Sequence, residues 1–166
     1  QRGERRTYVN KEAELPYVMA AYKTPNLLND DTYALEVLSI ILSGGRSSRI
    51  YKSLVDEKQI ALSAGAGYSN FMRYDYLFYL DGTAAPGISI DEVENALYAE
   101  VEMLKNEPPT EREVQKAKNQ IEADFIMGQD STFYQGMNLA IFEMIEDRSL
   151  EQKYLEGVRN VKAEDV

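Results

Sequence analysis

The apolar positions alternate in some stretches of the chain and recur at helical spacing in others, and the switches between the two mark out its elements. Thr7, Tyr8 and Val9 give a first strand over Arg5–Val9, and Tyr17, Val18, Met19 and Tyr22 a second over Pro16–Tyr22. Thr24-Pro25-Asn26 ends the second, and Asn29-Asp30-Asp31 supplies helix-start chemistry. Tyr33, Val37, Ile40 and Ile41 then recur at helical spacing up to Leu42, which predicts a largely buried helix. Gly44-Gly45 stops it, since glycine takes the left-handed cap conformation without a Cβ penalty.

A short helix follows, capped by Ser47 or Ser48, with Ile50, Leu54 and Val55 on its apolar side. Leu62–Tyr68 and Tyr74–Gly82 read as an antiparallel pair joined through Ser69–Arg73. In the second, Tyr76, Phe78 and Leu80 alternate with Leu77, Tyr79 and Asp81. The first is built of small residues, Ala64-Gly65-Ala66-Gly67, a composition that suits close approach of another backbone. Beyond it the spacing is helical. Ser89-Ile90-Asp91-Glu92 and Thr110-Glu111-Arg112-Glu113 both fit a capping box. Val93, Leu97, Val101 and Leu104 form one apolar stripe, and Val114, Ala117, Ile121 and Phe125 the next. Pro108-Pro109 separates the two helices. Met137, Ala140, Ile141, Met144 and Ile145 form a third stripe, and Ser149 opens a last helix near Gly157. The order ββ, αα, ββ and then four helices predicts an α+β fold: an antiparallel sheet with helices packed on one face. Val161–Val166 reads as the start of a further element, so residues 1–166 are expected to be one domain truncated at both ends.

Composition narrows the chemistry. Hydrophobic residues at 44% and charged residues at 28% are those of a folded domain. A net charge of −10 argues against nucleic acid, and no apolar run is long enough for a membrane helix. The chain has no Cys, which removes thiolate nucleophiles and sulfur-ligated metals. It also has no His, which removes the usual base of a Ser-His-Asp triad and the commonest zinc ligand. A carboxylate-only site stays open, but Glu111, Glu113, Glu122 and Asp124 are interspersed with Lys116 and Lys118, the pattern of a solvated helix face. Tyr68, Tyr74, Tyr76 and Tyr79 could wall a substrate or simply pack core and rim. The corner Gly44-Gly45-Arg46-Ser47-Ser48-Arg49 could hold an anion or a peptide carboxylate, or could be only a tight helix–helix turn.

Taken together these pieces resemble a known family. Ser43-Gly44-Gly45-Arg46-Ser47-Ser48-Arg49-Ile50-Tyr51 resembles the L-x-G-G-x-S-S-R-L corner of the pitrilysin/insulinase group of zinc peptidases, which includes the mitochondrial processing peptidases. Leu54-Val55-Asp56-Glu57-Lys58-Gln59-Ile60-Ala61-Leu62-Ser63 continues the match against L-R-E-K-R-G-L-A-Y-S. The resemblance runs from about Glu14 to the end, where Ala163-Glu164-Asp165-Val166 is similar to the start of the family's closing helix. The matching region is the C-terminal, non-zinc domain of that group.

The resemblance implies a clam-shell peptidase in which a neighbouring domain carries zinc on an inverted His-x-x-Glu-His motif. This chain holds no such motif and no cofactor of its own. Its implied partners are the homologous zinc-bearing domain of the same polypeptide, a partner subunit and a peptide substrate. Some partner-side domains of the group supply an Arg and a Tyr to the substrate; the matching positions here are Val55 and Leu62, which cannot donate those bonds. A structural and substrate-chamber domain is therefore expected, with peptide or domain contacts at Gly44, Gly45, Arg46, Ser47 and Arg49 of the corner. Further contacts are expected at Ala64, Ala66 and Tyr68 of the edge strand. The alternatives are an inactive homologue serving as an assembly scaffold, and an independent carboxylate-metal or peptide-binding module.

Overall fold

The computed structural model describes residues 3–12 and 14–166. Its sheet has three strands, β1 (Tyr17–Thr24), β2 (Ala61–Tyr68) and β3 (Tyr76–Ala84), in the order β1-β3-β2 with both pairings antiparallel. Arg5–Val9 is not a strand. Tyr8 and Val9 are 73% and 79% exposed, and the segment pairs with no described strand. It is held instead by Arg6, whose guanidinium donates to both carboxylate oxygens of Glu94 at 2.8 and 2.6 Å.

Register divides the sheet into two faces. Val18–Gly82–Ala64, Ala20–Leu80–Ala66 and Tyr22–Phe78–Tyr68 lie across one face, and Tyr17–Thr83–Ser63, Met19–Asp81–Gly65 and Ala21–Tyr79–Gly67 across the other. The first face buries Phe78 and Leu80 against α2 (Ile90–Asn106), through Val93 and Leu97. The second leaves Tyr17 and Met19 exposed. A bulge between Ala61 and Ser63 turns Leu62 outward.

The helix α1 (Asp31–Ser43) separates two hydrophobic clusters. Leu42, with the partly buried Leu35 and Leu38, joins the sheet and α2. Val37 and Ile41 join α3 (Glu111–Gly128), α4 (Thr132–Ile145) and α5 (Leu150–Asn160). A helix that serves two cores must be apolar over most of its circumference, as its sequence is. Thr110 and Glu113 complete the expected capping box: Glu113 N–H donates to Thr110 Oγ1 at 3.3 Å, and the Glu113 carboxylate accepts from Thr110 N–H at 2.8 Å. Ser89 makes only its half, accepting from Glu92 N–H at 3.2 Å. Each such cap is worth about 1 kcal/mol.

The third apolar stripe requires correction. α4 buries Phe142 and Ile145, whereas Met137 and Met144 are exposed and Ala140 faces solvent. The chain's final element is a short 3-10 turn, Ala163–Asp165.

Candidate functional site

The corner between α1 and the next helical segment is made by two glycines. Gly44 N–H donates to Ile40 O at 2.6 Å, and Gly45 takes φ +98°, a left-handed conformation that side chains disfavour. Ser48 does not cap the helix that follows; its hydroxyl donates to Gly45 O at 2.6 Å and is buried, while Ser47 is exposed. That helix is π-helical over Tyr51–Glu57, with Lys58 N–H reaching Ser53 O at 2.9 Å.

The cations of the corner have different fates. Arg49 closes on Glu113 as a two-pronged pair, Nε to Oε1 at 2.8 Å and Nη2 to Oε2 at 3.0 Å, and its Nη1 approaches Glu107 O at 3.4 Å. Hydrogen bonds from Arg49 hold the Glu113 carboxyl down at about 2. Ser47 Oγ accepts from Lys116 Nζ. The corner is thus fastened to the start of α3, and Arg46 remains exposed beside it.

The edge-strand candidates lie apart from Arg46. Ala64 and Ala66 are on the helix-backed face and pack against the second cluster. Tyr68 sits by the opposite end of α1: its hydroxyl donates to Pro25 O at 2.6 Å, which leaves Thr32 Oγ1 to donate to it at 2.8 Å. Its ring stacks on Phe78 with centroids 6.3 Å apart. The link between the two groups is Ser43, just before the corner. A Cβ on Gly65 would come 2.7 Å from Ser43 Oγ, so the bare backbone of β2 receives this chain's own α1. Val55 packs into the second cluster and Leu62 is 54% exposed, so the two positions of the family's Arg and Tyr do not face a common point through polar groups.

Pattern reading missed a buried polar knot. Tyr154 of α5 donates to Glu36 Oε1 at 2.7 Å, and Asn70 of the β2–β3 loop donates to Glu36 Oε2 at 2.6 Å. Burial pushes the Glu36 carboxyl up to about 7, with the two donors opposing the shift. Burial, and then the charge of Glu36, push the Tyr154 phenol up as well. A signal was present, since on the α1 helical wheel Glu36 falls beside Tyr33 and Ile40 rather than on a polar side. On the open sheet face, Asp81 is raised by burial, with the Tyr17 hydroxyl opposing.

Zinc, which the family resemblance brings with it, does not fit these residues. The sequence has no His or Cys, and among the described residues no three metal-ligating side chains come together. Glu113 and Glu122 are each engaged by an arginine, Arg49 and Arg159.

A family model described as the peptidase M16 inactive domain matches residues 1–121. The chain belongs to that family. The zinc protease PqqE of Helicobacter pylori is 32% identical to the M16 inactive domain over 137 residues, which cover 80% of this chain and 30% of that protein. A crystal structure of a protease from Helicobacter pylori matches with a TM-score of 0.85 and 27% identity, over 92% of this chain and 37% of that one. A chain of Complex III2 from Candida albicans shares the fold with a TM-score of 0.71 at 19% identity, over 90% of this chain and 37% of that one. The M16 inactive domain here thus spans 30% to 39% of the length of the first curated relatives it matches.

One departure from the family pattern has a measurable cost. Gln59 stands where the L-R-E-K-R-G pattern has glycine, and it takes φ +54°. Left-handed backbone costs a side-chain-bearing residue about 1–2 kcal/mol, partly offset by glycine's greater freedom when unfolded. Gln59→Gly is expected to stabilise the domain by about 0.5–1 kcal/mol, read as a higher urea midpoint at unchanged slope.

Proposed function

We propose that this M16 inactive domain is the non-catalytic half of a zinc-dependent endopeptidase subunit and forms one wall of the chamber that receives peptide. The observation that carries the reading is the open sheet face. Helices back one side of the sheet, while Tyr17, Met19 and Leu77 stand exposed along the other around Asp81. A rigid, partly aromatic surface with no hydrolytic group suits holding a chain rather than cutting it. β2 lies at one edge of the sheet, and Arg46 stands exposed at the Gly44-Gly45 corner as a separate contact for a peptide or the zinc-bearing neighbour domain. The Gly44-Gly45 corner, with Ser47 and Arg49 fastened to α3, follows Ser43, which meets Gly65 at the β2 side of that face.

The assembly-scaffold reading has one observation in its favour, the shared fold with a chain of Complex III2. The carboxylate-metal module has less, because its best candidates are paired with arginines.

Peptide hydrolysis separates these readings. The isolated chain with added zinc should cleave nothing, and the parent polypeptide should cleave peptides in a chelator-sensitive way. Met19→Arg in the parent should lower kcat/KM by about tenfold or more without loss of folding. A parent that is inert with zinc bound would favour the scaffold, and cleavage by the isolated chain would overturn the proposal.

A further inference from the structure

The knot at Glu36 ties together parts of the chain that are far apart in sequence. Glu36 belongs to α1, Tyr154 to α5, and Asn70 to the β2–β3 loop, residues 69–75. Among the described residues, two side-chain hydrogen bonds fasten that loop to the rest of the domain. Asn70 Nδ2 donates to Glu36 Oε2 at 2.6 Å, and Asn26 Nδ2 donates to Arg73 O at 2.6 Å. The first is buried, with Asn70 3% exposed, and the second lies at the surface. The Phe71 ring adds packing against Phe142 and Tyr154. Met72, Arg73 and Tyr74 are exposed.

At the centre is a carboxyl group without a counter-charge. Its partners are a phenol and a carboxamide, and no Lys or Arg is paired with it among the described residues. The ionisable groups that face it are the phenols of Tyr33 in α1, Tyr68 in β2 and Tyr154 in α5, all raised and uncharged near neutral pH. α3 and α4 reach the knot through rings, Phe125 with its centroid 5.3 Å from Tyr154 and Phe142 5.6 Å from Phe71. Asp30, Asp31 and Asp75 act on Tyr33 and Tyr68 and add only negative charge. A protonated Glu36 keeps both contacts: Tyr154 donates to one oxygen, and the other donates to the Asn70 amide, turned over. An ionised Glu36 must give up its hydration or regain it. Water reaches it at least cost by displacing the loop, because α1 and α5 are held in the hydrophobic clusters.

We propose that Glu36 and Asn70 form a proton-operated clasp: with its proton Glu36 keeps the β2–β3 loop seated on α1, and without it the carboxylate draws in water and the loop lifts. In the seated loop the carboxyl titrates at about 7, and hydrated in the lifted loop it returns to its ordinary 4.5. Lifting is therefore favoured as the pH rises between those two values, by up to about tenfold per unit, and gains nothing further above about pH 7. The loop runs into Tyr76 and Leu77 of β3, so its lifting alters one end of the open sheet face. The clasp goes beyond the role of a chamber wall and holds without it.

Amide hydrogen exchange, followed by NMR from about pH 5 to about pH 8 and corrected for the intrinsic pH dependence of exchange, reads the clasp directly. Protection of the Asn70, Phe71 and Met72 amides should fall at least about tenfold over that range and level off above about pH 7. The amides of Phe78, Leu80 and Gly82 in β3 should stay at least about tenfold better protected throughout, which separates loop lifting from unfolding. Glu36→Gln should remove the fall. Independently of that variant, the carboxyl carbon of Glu36 should titrate near neutral pH in the wild type. Loop protection that is flat in pH would overturn the proposal, and so would a fall shared equally by the loop and β3. An undiminished fall in Glu36→Gln, or a Glu36 midpoint near its ordinary value, would overturn it as well.

Discussion

Phe142→Ala should cost the isolated domain about 3–5 kcal/mol, whereas Met144→Ala, two residues away, should change its stability by no more than about 0.5 kcal/mol. Phe142 is fully buried and meets Phe71 edge-on with centroids 5.6 Å apart; Phe71 in turn lies 5.0 Å from the ring of Tyr154. Truncation removes the transfer energy of the ring and leaves a cavity where α4, α5 and the β2–β3 loop meet. Collapse into that space is limited, because α1 is held by the second cluster on its other side. Met144 is 53% exposed and loses little by truncation. Urea unfolding followed by circular dichroism measures both. Comparable losses in the two variants would mean that α4 faces the other way.

The second large effect depends on pH. The folded-state pKa of Glu36, about 7, lies above the ordinary value of 4.5, so the folded domain binds a proton more tightly than the unfolded chain does. The stability this contributes is fully present below about pH 4.5 and is lost as the pH rises to about 7. At 1.36 kcal/mol per unit, the loss across that window is on the order of 3 kcal/mol. The phenols facing Glu36 are Tyr154, Tyr33 and Tyr68, all raised and all neutral in this range. Glu36→Gln keeps the acceptor for Tyr154, and the Asn70 amide can turn to accept from the new side chain. The variant should show a stability flat in pH across the window, and above about pH 7 it should be more stable than the wild type by about 2–3 kcal/mol. Thermal melts of both proteins over this range check it. A wild-type curve with the same slope as the Glu36→Gln curve would assign the pH dependence elsewhere.

Much of the architecture could be read from local chemistry. β3 showed through period-two alternation and α1 through its nearly all-apolar wheel. The start of α3 showed through Thr110 and Glu113, whose reciprocal bonds involve only neighbours in sequence. The resemblance over Ser43–Tyr51 rested on residue types, among them Gly45, whose φ of +98° glycine adopts at little cost. Arg5–Val9 failed for the complementary reason. A strand needs a partner edge, and β propensity at Thr7, Tyr8 and Val9 cannot supply one. The candidate site was less legible. The corner at Arg49 reads either as an anion or peptide contact or as a tight turn, and the choice depends on Glu113, a partner far away in sequence that takes up its charge.

The sequence by itself determined that this domain has no thiol or imidazole chemistry and no His or Cys to ligate zinc, because residue types alone decide that. Only the tertiary structure decided which side of α4 is buried. It likewise showed that the small residues of β2 admit the domain's own α1, and that Glu36 meets Tyr154 and Asn70. Each of these depends on contacts between elements distant in the chain. Periodicity gives a helix or strand its apolar directions, and packing selects which of them is filled.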